Sequence, residues 1–196
     1  MPEVTEKTKS PEAVAAPPVP SKKKAPGLQF RRLFTKPGVS PYDEIEWELR
    51  LAQITDAQGN IIFEQKDVEV PKDWSMTATN IVASKYLHGT VGTSERETGV
   101  RQLVRRVAET IRDWGKADGY FRSEEDAAVF HDELAHILLR QYAAFNSPVW
   151  FNVGTTAKQF VSACFILAVE DNMESILDWY KENGLAAYQQ HLGKEA

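Results

Sequence analysis

Two side chains have the chemistry to do work: Cys164 and Ser147. Cys164 is the single cysteine of the 196-residue chain and lies in the apolar run FVSACFILAV. A thiolate is a nucleophile, and two thiols can deliver two electrons by closing to a disulfide. Read from its neighbours alone, Cys164 is a small core hydrophobe: no histidine is placed in sequence to activate it, and mid-strand it lacks a helix N-terminal field. Ser147 sits in the turn AFNSPVWFN, and with no GxSxG pattern it reads as a turn residue, not a nucleophile. His131 and His136 in HDELAH are five positions apart, about 140° around a helix, so they do not form the i, i+4 pair that shares a metal. No metal site is expected.

These residues need elements to hold them. Residues 44–54 and 60–70 alternate as two strands of a β-hairpin around DAQGN, with Ile45, Trp47, Leu49 and Leu51 on one face and Glu46, Glu48 and Arg50 on the other. Asp73 is placed to cap a helix running to about Leu87, with Gly89 as its stop. The loop GTVGTSERETG matches neither GxGxxG nor a Walker A loop and reads as a connection. Residues 96–114 carry Val100, Leu103, Val104, Val107, Ile111 and Trp114 at helical spacing, with Arg101, Arg105, Arg106 and Arg112 as a solvated face and Gly115 and Gly119 as breakers. Ser123 caps a helix over roughly 124–145 with Phe130, Leu134, Ile137, Leu138 and Phe145 inward. Pro148 ends it, because it disfavours helical geometry at Ser147. Residues 159–169 are apolar on both faces, the pattern of a strand buried in an α/β sheet, with Ser162, Cys164 and Ile166 on one face. Asp171-x-x-Glu174 reads as a capping box opening a helix with Met173, Ile176, Leu177 and Tyr180, stopped by Gly184.

Composition bounds the rest. Residues 1–27, rich in Pro, Lys, Ala and Glu, read as a disordered tail. In the arm that follows, Phe30, Leu33 and Phe34 are expected to anchor on the body. The net charge of −5 gives no basic field for nucleic acid. One cysteine excludes a disulfide framework and fits a reducing, cytoplasmic location. No apolar run reaches the ~18 residues of a membrane span, and the opening MPEVTEKTKSPE is not a secretory signal. The residues alone thus give an α+β domain with an incomplete thiol site.

The strings ELAHILLRQYAAFNSPVWFNVG and SACFILAVEDNMESILDWY, with FRRLFTKPGVSPYDEIEWELR, EVPKDWSMTATNIVASKYLHG and SERETGVRQLVRRVAETIRDWGKADGYF upstream, resemble the adenosylcobalamin-dependent (class II) ribonucleotide reductases from about residue 28 to 181. The resemblance implies a hairpin and helical N-terminal region (28–145) leading into the start of a ten-stranded α/β barrel (146–181), a barrel incomplete in this chain. It implies reduction of a ribonucleotide to the 2′-deoxyribonucleotide, as in a ribonucleoside-diphosphate reductase, with adenosylcobalamin as cofactor. Cys164 matches one half of the reducing dithiol, and Ser147 and Ser162 match substrate-contacting positions. The second dithiol cysteine, the radical cysteine and most of the cobalamin surface fall outside the matched region, so a partner chain supplying the rest of the barrel is one implication. Residues 182–196 diverge from the pattern. A non-catalytic nucleotide-binding or interaction module derived from the reductase is the alternative reading.

Overall fold

The computed structural model describes residues 27–157, 159, 161–164 and 168–181. The expected tail over 1–27, apart from Gly27, and the diverged end over 182–196 lie outside the described residues.

The hairpin forms as its alternation demands. Strand β1 (Trp47–Thr55) pairs antiparallel with β2 (Ile61–Pro71). Asp56 builds the turn, its Oδ1 accepting from the N–H groups of Gln58 (2.9 Å) and Asn60 (2.8 Å). The facing of β1, however, is not the one its pattern suggests. Leu49 is 64% exposed and Leu51 47%, while Ala52 is fully buried. Arg50 lies on the inner face instead, donating to the carbonyls of Trp74 (2.6 Å) and Lys72 (2.8 Å) and to the Thr79 hydroxyl (3.0 Å). Those oxygens cap the hairpin's join to the next helix, and the guanidinium satisfies three at once, which no leucine can do. A bulge completes the change: Lys66 and Asp67 stand opposite Leu51, with Asp67 at φ 54°.

Helix α1 (Met76–Lys85) is capped by Ser75, whose hydroxyl accepts from the Ala78 N–H at 3.1 Å, and not by Asp73. Asp73 is held back in a turn in which the Trp74 N–H reaches the Pro71 carbonyl. Helix α2 (Val100–Ala117) buries Val100, Leu103, Val104 and Val107 as its spacing requires, and leaves Trp114 at the surface. Gly115 does not break it. A Cβ there would come within 2.6 Å of the Phe121 ring, so the glycine makes room for that ring inside a continuous helix.

Helix α3 (Glu124–Leu139) starts at the expected Ser123 cap and ends six residues short of the expected limit. Gln141 turns left-handed (φ 56°), its N–H bonding the Leu138 carbonyl (3.2 Å) and the Tyr142 N–H bonding that of Ile137 (3.0 Å). That is a Schellman stop with glutamine where glycine is usual. Pro148 is therefore not the terminator. It lies in the first turn of a short helix, α4 (Ser147–Asn152), where proline's fixed φ suits helix entry.

The core is one cluster between the hairpin and α1, α2 and α3, including Val68, Val70, Ala83, Leu103, Val104, Leu138 and Leu139. A second, smaller cluster of Val107, Val149 and Val153 joins α4 to α2. The arm over 28–43 docks on α3. Phe30 packs edge-on to Phe121 (5.7 Å) and Phe130 (5.3 Å), and Phe34 stacks on His136 (5.4 Å). Leu33, expected as an anchor, is 80% exposed. The arm is held there by the Glu133 carboxylate, which accepts from the N–H groups of Phe34 and Thr35 and from the Thr35 hydroxyl.

The described residues of the expected strand 159–169 show no strand, and Val161–Cys164 are exposed. A strand must pair its backbone groups, and among the described residues neither β1 nor β2 pairs with this segment. Residues 173–181 are helical, but the cap is Asn172, whose Oδ1 accepts from the Ser175 N–H (2.8 Å), and not Asp171. Met173, Leu177 and Tyr180 on that helix are exposed. Among the described residues no helix is long and apolar enough to cross a membrane.

Candidate functional site

The site forms where α1 ends and α4 begins. Tyr86 closes α1 as its C-cap residue. Ser147 opens α4 after Asn146, whose extended backbone (φ −65°, ψ 159°) is the conformation a residue before a helix adopts. Their hydroxyls lie 3.0 Å apart, a hydrogen bond between residues 61 positions distant in sequence. The Tyr86 ring is also stacked on Phe151, one turn further along α4, at 5.2 Å and 16°. One tyrosine thus fixes both the position of α4 and the direction of the Ser147 hydroxyl.

The far end of α4 is fixed by charge. The Arg106 guanidinium donates to the carbonyls of Val153 and Trp150 and pairs with Glu97 at 2.8 Å. Both side chains are nearly closed off from solvent, 12% and 11% exposed. Glu97 in turn accepts from the His88 N–H (2.8 Å). Of the arginines expected as a solvated face, Arg101 and Arg106 are instead packed, while Arg105 is exposed and Arg112 pairs with the exposed Asp113. Beside Arg106, Arg101 lies over the Trp47 ring (4.3 Å) and pairs with Glu69, and Arg105 lies over the Tyr42 ring (5.4 Å). Planar guanidinium groups stack on rings and reach carbonyls, so the part of the polar-looking helix face at Arg101 and Arg106 is an interior seam.

Of the three sequence-predicted site residues, only Ser147 is held by tertiary contacts. Ser162 and Cys164 are exposed, and among the described residues no hydrogen bond joins either to Ser147. Tyr86, Glu97 and Arg106 carry no local motif, and only their long-range partners reveal them. His131 and His136 are separate: the first lies against Asp132 (3.1 Å), the second against Phe34. Among the described residues no group of three His, Cys, Asp or Glu is placed to hold a metal ion.

Residues 48–141 match the model of a family described as class II vitamin B12-dependent ribonucleotide reductase. This region belongs to that family. The chain is 56% identical over 163 residues to the vitamin B12-dependent ribonucleotide reductase of Streptomyces avermitilis, covering 83% of this chain and 17% of that protein. It is 45% identical over 181 residues to the protein of the same name from Rhodopirellula baltica, covering 77% and 17%. With that of Agrobacterium fabrum the identity is 31% over 227 residues, covering 82% and 18%. The chain therefore spans about a sixth of the length of the reductases it matches. The family match ends at residue 141, before Ser147, Ser162 and Cys164.

The cavities lined by Trp74 and Trp150 and by Gln65 and Arg96 are too small to enclose cobalamin. They hold about 300 to 390 Å³, at the lower limit of the ~300–1,000 Å³ typical of small-ligand pockets, and a corrin ring with its nucleotide tail needs far more room.

Proposed function

We propose that this chain is the N-terminal segment of a cobalamin-dependent reductase that makes 2′-deoxyribonucleotides, the precursors of DNA, from ribonucleoside diphosphates. The observation that carries this reading is the 56% identity to a reductase across 83% of the chain. In the proposed reaction the ribose C2′–O bond breaks and its oxygen leaves as water. A C2′–H bond forms, and two thiols supply the electron pair and close to a disulfide. Cys164 is assigned as one of those thiols, and its exposure leaves it open to a substrate or partner. This sequence holds one cysteine, so the second thiol belongs to reductase sequence outside these 196 residues. The Ser147 and Ser162 hydroxyls are assigned to substrate oxygens, which they can reach as donors and acceptors. Adenosylcobalamin, whose chemistry is to generate the radical, is assigned to the same outside sequence, as is the barrel into which 159–169 would pair. By itself the segment is expected to be inactive.

The test is a tagged pull-down from native lysate, with co-purifying proteins identified by mass spectrometry and the eluate assayed for adenosylcobalamin-dependent nucleotide reduction. A cysteine-rich partner carrying the remaining barrel, with activity abolished by Cys164→Ser, supports the reading. A chain that co-purifies with no such partner and shows no reduction overturns it.

A further inference from the structure

A cavity of about 300 Å³ opens between α1, α2, α3 and the segment before α4. Trp74, Tyr86, Phe145 and Trp150 line it, and none of its lining residues is charged. The polar atoms of these rings are already engaged: Trp74 Nε1 donates to the Leu139 carbonyl, Trp150 Nε1 to that of Phe145, and the Tyr86 hydroxyl meets Ser147. What remains free is exposed. Gln141, Ala143 and Ala144 also line the cavity, and among the described residues no hydrogen bond engages the Gln141 carboxamide or the N–H groups of Ala143 and Ala144. The cavity thus presents flat apolar walls beside unspent donors.

The chain carries a stretch of matching chemistry. Residues 13–21 read AVAAPPVPS, the longest uncharged run before Gly27, bounded by Glu12 and Lys22. Pro17, Pro18 and Pro20 have no N–H, so the stretch offers carbonyl acceptors and few donors, the complement of the free amides. Proline-rich chain docks in aromatic-lined grooves because its polyproline II form is extended beforehand and loses little entropy on binding. A composition that denies these residues a core of their own is the one this cavity fits.

The reach is sufficient. Gly27 packs on the backbone of Phe121 and Arg122, just before α3, and the cavity meets Gln141 just past the other end of α3. The stretch must cover about 24 Å, the length of the 16-residue α3 at ~1.5 Å per residue. From Gly27 back to Pro17, polyproline II reaches about 31 Å at ~3.1 Å per residue.

We propose that residues 17–20 dock in the aromatic cavity of their own chain, with proline rings against Trp74, Tyr86 and Trp150 and carbonyls on the donors of Gln141, Ala143 and Ala144. Docked there, the stretch covers Tyr86 and closes over the place where that tyrosine holds Ser147. The docking is independent of the reductase reading and does not use Cys164.

The test compares the full 196-residue chain by NMR with a variant carrying Pro17→Ser, Pro18→Ser and Pro20→Ser, changes before Gly27 that leave the packed core untouched. The variant is expected to shift the resonances of the Gln141 carboxamide, the Ala143 and Ala144 amides and the Trp74 and Trp150 indoles, and to speed hydrogen exchange at Ala143 and Ala144. A synthetic peptide of residues 11–22 is expected to restore those shifts saturably in the variant, and to bind the wild type more weakly because the attached stretch competes. Adding Gln141→Gly to the variant lowers peptide affinity about 2- to 12-fold, the worth of one hydrogen bond. Identical spectra for wild type and variant, a peptide that does not saturate, or wild-type shifts lost on dilution, the sign of a second copy's stretch in the cavity, overturn the proposal.

Discussion

The Tyr86 and Ser147 hydroxyls meet at 3.0 Å and tie the end of α1 to the start of α4. A hydroxyl pair of this kind contributes about 0.5–1.5 kcal/mol net. Tyr86→Phe and Ser147→Ala are each expected to cost about that much. Because they remove one shared bond, the double variant is expected to cost less than the two single costs together. Urea denaturation of the four proteins gives the coupling energy, and strict additivity would mean the contact contributes nothing.

Arg106 is the larger support. Truncation to alanine leaves the Glu97 carboxylate in a nearly closed site and strips the Val153 and Trp150 carbonyls of their donor. Loss of one partner of such a pair costs about 3–5 kcal/mol. Arg106→Ala is expected to approach that figure, with hydrogen-exchange protection lost first at Val149 and Val153, whose amides close α4. Glu97→Gln in the same background should recover part of the loss by removing the stranded charge. A loss under about 0.5 kcal/mol, the level of an ordinary surface substitution, would return Arg106 to a solvated role.

Local chemistry made the hairpin, the four-position spacing of α2 and the Ser123 cap legible in sequence, because a strand's alternation, a helix's apolar face and a serine at a helix start act over a few residues. Gln141 hid the end of α3, since a helix stop by glutamine lacks the glycine that marks it. Gly115 looked like a breaker because its reason for being glycine, the Phe121 ring, is remote. Leu49 and Arg50 exchanged faces because the oxygens that draw Arg50 inward come from residues 22 to 29 positions away. The site followed the same rule. Ser147 was visible in its NSP string, whereas Tyr86 and Arg106 became visible only through partners 61 and 47 positions distant.

The arm's attachment should weaken in acid. Burial pushes the Glu133 carboxyl up, but the hydrogen bonds from the Thr35 hydroxyl and the Phe34 and Thr35 N–H groups outweigh it, and the carboxyl titrates below its ordinary range. A carboxyl depressed on folding contributes stability that is fully present above its unfolded value, about 4.3 for Glu, and is lost as pH falls through the folded one. Between about pH 5 and about pH 3 the wild type is expected to lose more stability than Glu133→Gln, so the two curves converge at low pH. Parallel curves would show that Glu133 does not couple the arm to protonation.

Cys164 should react as an open thiol. A cysteine in a buried strand is shielded from reagents, and the apolar run around it suggests that shielding. Its side chain is instead exposed on a segment without regular structure among the described residues. Disulfide exchange with an aromatic disulfide reagent is therefore expected at a rate within about fivefold of the urea-unfolded chain, since access no longer limits it. Cys164→Ser should cost less than about 0.5 kcal/mol, as an exposed substitution does. The same measurement bears on the reductase reading. If reductase sequence outside this chain pairs with residues 159–169 to build a barrel, adding it should slow the reaction by covering the thiol. A rate unchanged by a bound partner would place Cys164 outside the interface, and a slow rate in the chain alone would mean that the segment is covered without one.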